Sequence, residues 1–178
     1  MQTNNNEQAT IDCLKHALED TQETIRGYDN KAEILAVLLT LAVGLTNFTL
    51  FPLIVDSLEK YLLMASWVTA FAAITLLGLV LHPKVNLFEA IQKGTYTPQG
   101  TYFLHKINES PTNTISALAE RALNTNWVEE LTYECMKVSI IREKKHCWFV
   151  SALLISGLTL LLILLALLSG AYCGQHSS

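Results

Sequence analysis

Charged residues are scarce in this chain of 178 residues: they make up 16% of it, whereas hydrophobic residues make up 51%. A typical soluble domain carries roughly 25% charged residues, so the scarcity argues against an ordinary soluble globule. Long apolar runs also exclude a disordered chain. The formal net charge is −4, so no global basic field indicates a nucleic-acid partner. Together these features predict a small integral membrane protein.

Catalytic and metal-binding patterns are missing as well. The sequence has no GxSxG, HExxH, Walker loop or GxGxxG motif. Its four cysteines form no CxxC pair and no Cys/His ligand cluster, so neither a disulfide framework nor a zinc site is expected. The five histidines are isolated from one another. We therefore expect no enzymatic activity, no catalytic residue, no metal and no resident cofactor.

Three apolar segments contain no charged residue and are long enough to cross a bilayer, namely 34–55, 62–81 and 148–172. A helix needs roughly 20 apolar residues to cross roughly 30 Å of hydrocarbon, and only a helix satisfies its own backbone groups there. The short turn Asp56–Lys60 joins the first two segments into an antiparallel hairpin. We expect an all-α membrane protein with three transmembrane helices and a small helical cytoplasmic bundle continuous with the spans.

The remaining residues divide into four parts: a flexible tail (1–10), a cytoplasmic helix (11–33), a cytoplasmic helical region (83–147) and a short outer tail (173–178). Eleven of the 12 lysines and arginines lie before the first span or between the second and third. Loops rich in lysine and arginine stay in the cytoplasm. The N-terminus is therefore predicted to be cytoplasmic and the C-terminus to lie outside.

Two cytoplasmic segments carry helical patterns. Ahead of the first span, apolar or small residues alternate at spacings of three and four, which is typical of a heptad seam. They are Ile11, Leu14, Leu18, Thr21, Ile25, Tyr28 and Ala32. Ahead of the last span, Asn126 and Glu129 form a capping box. No proline or glycine follows until Gly157, so one long helix is predicted from about Trp127 through the last span, with the N-terminal helix as its partner.

Small residues recur at every fourth position of the first two spans. This spacing lets helix backbones approach closely, either within the hairpin or between subunits. The residues are Ala36, Thr40 and Gly44 in the first span and Ala65, Thr69 and Ala73 in the second.

A basic cluster, Arg142, Lys144 and Lys145, stands just before the last span. Basic residues at this depth fix orientation and attract anionic lipid, at about 1 kcal/mol per residue. The alternative is an anion site that faces the N-terminal helix. Asp29 and Lys31 lie at the corresponding depth before the first span, so the two sets can meet in a charged layer at the membrane boundary.

Two short motifs resemble those of a known family, the membrane effectors of Pycsar anti-phage systems, called PycTM. Residues Tyr28-Asp29-Asn30-Lys31-Ala32 resemble its D-x-K-A signature. A second motif, S…K…L…A, matches where the last helix enters the membrane, at Ser139, Lys145, Phe149 and Ala152, with phenylalanine in the usual leucine position. The order of helix, hairpin, polar stretch and long helix is similar too.

The resemblance implies a two-gene defence module in a bacterial inner membrane, with the C-terminus periplasmic. A partner pyrimidine cyclase would make cyclic CMP or cyclic UMP during infection. The effector would then impair the membrane, so that the infected cell stops growing or dies before phage mature. The resemblance leaves open which nucleotide acts, and whether the membrane fails through a channel or through disordered lipid.

A nucleotide that activates the protein must bind one packing of the cytoplasmic bundle better than another. Its phosphate would suit Lys31, Arg142, Lys144 or Lys145, and its base would suit the rings of Trp127 or Tyr133. The expected partners are thus a cyclic pyrimidine nucleotide, its cyclase, the lipid bilayer and further copies of this chain. Two alternatives share the predicted spans, a holin-like pore former without a ligand and a membrane-anchored scaffold whose heptads bind a soluble protein.

Overall fold

The computed structural model describes residues 2–50, 57–82 and 115–176, with side chains for most of 6–46, 60–82 and 119–169. Every regular element in these ranges is an α-helix, so the all-α prediction is confirmed. The four helices are α1 (Gln2–Leu50), α2 (Ser57–Leu81), α3 (Ile115–Asn124) and α4 (Trp127–His176). The turn predicted at Asp56–Lys60 is shorter in the structure, because α2 already begins at Ser57. Asp56 itself and residues 83–114 of the predicted cytoplasmic region lie outside the described residues.

Helix α4 begins at the predicted capping box. The backbone N–H of Glu129 donates to Asn126 Oδ1 over 3.4 Å, and that of Glu130 donates to the Asn126 carbonyl oxygen over 3.0 Å. Both acidic residues lie in the first turn, where the helix dipole favours negative charge. From there the helix continues without a break to His176, which confirms one long helix through the last predicted span.

Helix α1 extends further toward the N-terminus than the pattern predicts. It begins at Gln2, so residues 2–10 of the segment predicted as a flexible tail (1–10) are helical, and the prediction is corrected for these residues. Gln8 Nε2 donates to Asp12 Oδ1 over 3.2 Å, and Thr10 Oγ1 donates to the Asn6 carbonyl oxygen over 2.9 Å. Once a helix has nucleated, each added residue gains a backbone hydrogen bond, so a polar run without proline or glycine continues it.

The chain divides into two compact units. The first unit consists of residues 1–24 and 85–142, and the second of residues 25–84 and 143–178. Within the first unit, Leu18 of α1 is buried, as are Leu131 and Val138 of α4. The Cys135 thiol donates to the Leu14 carbonyl oxygen over 3.5 Å. These contacts confirm that the N-terminal heptad seam packs against α4 here.

Buried residues of the second unit also recur with heptad spacing. On α4 they lie seven apart, at Lys145, Ala152, Thr159 and Ala166. On α2 they alternate at three and four, at Leu63, Ser66, Ala70, Ala73, Leu77 and Val80. A strict seven-residue repeat imposes a left-handed supercoil, so these helices pack as a coiled-coil-like bundle.

The outer surface of the second unit is apolar. Large hydrophobic side chains lie exposed on all three helices, for example Ile34 on α1, Phe71 on α2 and Leu154 on α4, which are 61%, 75% and 70% exposed. Soluble monomers rarely expose contiguous apolar surface of this extent. The buried side chains include small and hydroxyl-bearing ones, such as Ala73, Ala152 and Thr159, beside aliphatic ones such as Leu77. Exposed leucines are tolerated in a bilayer, because the acyl chains of lipids are as apolar as a leucine side chain.

Two segments are long and apolar enough to cross a membrane among the residues that the structure describes: Lys60–Leu81, and the apolar part of Trp127–Ser169. The first contains the second predicted span (62–81), and the second covers residues 148–169 of the third (148–172). The predicted count of three spans is not confirmed, since the first span (34–55) runs beyond the described residues.

The small residues of the first two spans are placed differently. Ala73 is fully buried in the bundle, whereas Thr40 is exposed. A Cβ atom added at Gly44 would meet nothing within 4 Å. Ala65 is exposed as well, and Thr69 bonds to Thr159 of α4. Packing of the hairpin on itself therefore accounts for only part of each stripe.

Candidate functional site

Helices α1 and α4 of the second unit meet in a group of polar and aromatic side chains next to the apolar bundle. We call this group the boundary cluster; it consists of Tyr28 and Asp29 on α1 and Lys145, His146 and Phe149 on α4. Both helices run toward their apolar segments in the same direction, so residues that precede the two spans lie side by side. Of the charged layer predicted at this depth, the structure shows an ion pair between these two helices, Asp29–Lys145.

Lys145 and Asp29 form an ion pair through Nζ and Oδ1. The lysine side chain is only 5% exposed, whereas the aspartate side chain is 31% exposed. A buried ammonium group is strongly unfavourable without a partner, because it has lost its hydration. The carboxylate of Asp29 therefore makes the buried position of Lys145 possible, and the pair links the start of one apolar helix to the start of the other.

Tyr28 supports this pair from the neighbouring position. Its hydroxyl group lies 2.9 Å from His146 Nδ1, and either atom can be the donor, depending on the histidine tautomer. Its ring lies 5.7 Å from that of His146 and 5.7 Å from that of Phe149, tilted by 58° and 49°. Tilted geometries at this distance are favourable for aromatic pairs.

One helical turn further into the bundle, the boundary cluster rests on a small apolar cluster. Ala32 of α1 and Ala152 of α4 are both fully buried there, together with Leu77 and Val80 of α2. Alanine at both positions lets the backbones of α1 and α4 approach closely. Four residues of the two family-like motifs, Asp29, Ala32, Lys145 and Ala152, thus meet within a short length of the helix pair.

The structure places Lys145 in a buried seam rather than on an exposed face. It is the charged member of a series of buried residues seven apart on α4, whose other members are Leu131, Val138, Ala152, Thr159 and Ala166. A single polar residue in such a seam fixes the register of the helices at a cost in stability. Because its ammonium group already has a carboxylate partner, Lys145 acts here as a positioning residue. The seven-residue repeat carried through the charged run at 142–145 was the signal for this burial.

The other predicted anion-binding residues are exposed. Lys31, Arg142 and Lys144 point away from the packed seams, and among the described residues no ion pair is formed by any of them. Their ammonium and guanidinium groups are accessible to an anion. The structure does not bring Lys31 into contact with Lys144.

The predicted aromatic residues lie in the first unit and are already engaged. Trp127 is half-buried, and its Nε1–H donates to the Ala122 carbonyl oxygen over 3.1 Å across the junction of α3 and α4. Tyr133 is buried, with Lys137 Nζ 5.4 Å from its ring centroid. Ser139, a residue of the second motif, is half-buried in the same unit.

Two buried carboxylates of α4 were not predicted from the sequence. Glu130 and Glu134 are buried in the first unit, although charged residues rarely are. Lys137 Nζ donates to both carboxylate oxygens of Glu134, over 2.7 and 2.8 Å. Only the heptad phase of Leu131 and Val138, which places Glu134 between them, could have indicated this burial from the sequence.

Replacing Tyr28 with phenylalanine is expected to lower stability modestly. The substitution removes the hydrogen bond to His146 but keeps the ring contacts, so about 0.5–1 kcal/mol of unfolding free energy should be lost. Thermal unfolding in detergent, followed by circular dichroism, measures the effect. A matched control is Tyr61→Phe, because Tyr61 is 71% exposed on α2. A larger loss for Tyr61→Phe than for Tyr28→Phe would contradict the assignment.

Comparison with known protein families identifies the family of this chain. A family model described as the Pycsar effector protein domain, PycTM, matches residues 13–170. No curated protein and no solved structure shows a significant match. The match spans both motifs, all of the boundary cluster and the two helices able to cross a membrane. The chain belongs to the PycTM family of Pycsar effector proteins.

Proposed function

We propose that this protein is a membrane effector that responds to a cyclic pyrimidine nucleotide, cyclic CMP or cyclic UMP, by impairing the bacterial inner membrane. A partner pyrimidine cyclase would supply the nucleotide during phage infection, and the infected cell would stop growing before phage mature. The family match over residues 13–170 carries this proposal. The apolar outer surface of the second unit supports a site of action within the bilayer.

In this proposal the chain crosses the membrane three times, with the N-terminus in the cytoplasm and the C-terminus in the periplasm. The predicted first span is the crossing in addition to the two apolar helices. Its exposed apolar side chains support it, since Val37, Leu41 and Leu45 are 59%, 56% and 65% exposed. The distribution of lysine and arginine supports the orientation. The large exposed apolar surface also suits assembly of several copies in the active state.

The proposed switch is a change in packing between α1 and α4. The Asp29–Lys145 pair stabilises the resting register, because moving either helix would separate a largely buried ammonium group from its carboxylate. A nucleotide favours the active packing only to the extent that it binds that packing more tightly. Since α4 is one helix from Trp127 to His176, a rotation of its cytoplasmic part also turns the apolar part.

The exposed cations Lys31, Arg142 and Lys144 are the proposed contacts for the nucleotide phosphate. Trp127 and Tyr133 are the proposed stacking residues, and because they precede Arg142 on the same helix by about 22 Å and about 14 Å, the proposal has them stack on a nucleotide whose phosphate is bound by another copy of the chain. The half-buried indole of Trp127 is the more accessible of the two rings. Lys145 is assigned to the switch instead, since it is occupied by Asp29. No reaction is proposed for any of these residues: the protein acts as a receptor and membrane effector, without a cofactor.

Dye uptake in living cells tests the proposal. Bacteria that express the protein with an active pyrimidine cyclase should take up propidium, whereas cells with an inactivated cyclase should exclude it. Uptake with either cyclase would favour a holin-like pore former. Dye exclusion in both, with the protein verified in the membrane, would contradict the membrane mechanism and favour a scaffold that binds a soluble partner.

Charge reversal at an exposed cation tests the ligand contacts. Loss of one charge-assisted hydrogen bond corresponds to roughly 1.5–3 kcal/mol, so Arg142→Glu or Lys144→Glu should raise the nucleotide concentration needed for uptake about tenfold or more. Lys15→Glu is the matched control, since Lys15 is exposed on α1 but is no candidate. Equal responses of all three variants would remove Arg142 and Lys144 from the proposed site.

A further inference from the structure

Hydroxyl groups lie inside the second unit, where α4 packs against α2. Thr159 of α4 is fully buried and donates from Oγ1 to Oγ1 of Thr69 over 2.9 Å. The same hydroxyl group lies 2.9 Å from the Ile155 carbonyl oxygen of its own helix. Ser66 is buried beside Thr69 on α2, with its hydroxyl donating to the Leu63 carbonyl oxygen over 2.7 Å. These three residues and Ser156 form what we call the hydroxyl seam.

Ser156 is the member of the seam whose hydroxyl group has no partner. It is 2% exposed, and its Oγ atom makes no hydrogen bond within the residues described. Other hydroxyl groups of α4 bond to the preceding helical turn, as Ser151 does to the Cys147 carbonyl oxygen over 3.0 Å. A buried hydroxyl group is unfavourable unless it is hydrogen-bonded. Ser156 therefore keeps an unused capacity for a polar contact inside the bundle.

The seam lies at a depth where the bilayer is most apolar. Ser156 and Thr159 follow Trp148, the first residue of the predicted third span, by about 12 Å and about 16 Å at the helical rise. The hydrocarbon core is roughly 30 Å thick, so both residues lie near its middle. Neighbouring side chains on the outside of α4 are leucines, such as Leu154 and Leu158. The two faces of α4 thus differ in polarity: leucine faces lipid, and hydroxyl groups face inward.

We propose that the hydroxyl seam lines the aqueous path across the membrane that opens in the active protein. In the resting packing, Thr69 and Thr159 bond to each other and the seam is closed to solvent. Rotation of α4 separates this pair, water enters, and Ser156 gains the hydrogen bonds that it lacks. Ala70 and Ala73 lie beside the seam on α2, and the bulky side chains packed against them, Leu39, Val43 and Ile163, must move aside when the helices rotate. This inference rests on the proposed function, because it requires an activated state.

Cysteine accessibility tests the seam. The native cysteines at 13, 135, 147 and 173 are first replaced by serine, and Ser156→Cys or the lipid-facing control Leu154→Cys is then introduced. Cells with active or inactive cyclase are treated with a membrane-impermeant methanethiosulfonate, and modification is read as protection from later biotin-maleimide labelling. We expect Ser156→Cys to react at least tenfold faster with the active cyclase, and Leu154→Cys to stay unreactive in both. Modification of Ser156→Cys should also reduce dye uptake.

Two further readouts keep the inference separable from the proposed function. If the active cyclase still causes dye uptake while Ser156→Cys and a second variant, Thr159→Cys, remain unmodified, then the hydroxyl seam is a packing feature and the inference is overturned alone. If the cysteine-free parent shows no dye uptake although the natural sequence does, Ser156→Cys is introduced into the natural sequence instead. Mass spectrometry then measures whether the cysteine at position 156 is modified. Modification only with the active cyclase supports the inference, and its absence overturns it. Absence of uptake in every form overturns the proposed function and the inference with it.

Discussion

The single variants Asp29→Lys and Lys145→Asp are expected to cause dye uptake even with an inactivated cyclase, because they remove the pair that stabilises the resting register. The exchanged pair Asp29→Lys/Lys145→Asp is expected to restore much of the dependence on the active cyclase. Each single variant places two like charges against each other where the lysine position is only 5% exposed. Breaking a buried pair from one side lowers the free energy of unfolding by about 3–5 kcal/mol, and the partial exposure of Asp29 favours the lower limit.

Two measurements separate this effect from a loss of ligand contacts. Thermal unfolding in detergent should show lowered midpoints for the single variants and partial recovery in the exchanged pair. The control Lys144→Asp makes the same charge change one residue earlier, at an exposed side chain, and should leave the unfolding midpoint unchanged. Equal unfolding midpoints for Lys145→Asp and the parent would contradict the positioning role of this pair.

The variant Ala152→Leu is expected to destabilise the bundle and abolish activity. Ala152 is fully buried against Ala32, Leu77 and Val80, so a leucine there forces the helices apart. Overpacking of this kind lowers the free energy of unfolding by about 1–3 kcal/mol. The readouts are the thermal midpoint in detergent and dye uptake with the active cyclase.

Gly157→Leu is the matched control for this prediction. Gly157 is exposed on the same helix, and a Cβ atom added there would meet nothing within 4 Å. A leucine at this position would face lipid, as Leu158 does, and should not lower stability. If Gly157→Leu were as damaging as Ala152→Leu, hydrophobic bulk in the span would be harmful by itself, and the packing explanation would be wrong.

The long helices were predictable because their signals are local. Uninterrupted helical period, the Asn126 cap and the absence of proline define α4, and a spacing of three and four defines the seam of α1. The N-terminal boundary was missed, because a polar run carries no apolar periodicity even when it is helical.

The boundary cluster was predictable only in part. Proximity of Asp29 to the basic cluster follows from depth relative to the spans, but the choice of Lys145 over Lys144 depends on heptad phase. Pairing of Tyr28 with His146 depends on the register between two helices that are separated by more than a hundred residues in the chain. One sequence does not determine that register, so His146 gave no signal of its own.

Release of dye from vesicles is the most direct test of a nucleotide-triggered membrane effector. The purified protein would be inserted into vesicles of bacterial lipids that contain a self-quenching dye, and cyclic CMP or cyclic UMP would be added. Cyclic AMP and dye-loaded vesicles without the protein serve as controls. We predict rapid release with one or both pyrimidine nucleotides and none with the controls. Intact vesicles under all conditions, with insertion verified by protease protection, would contradict direct activation by the nucleotide.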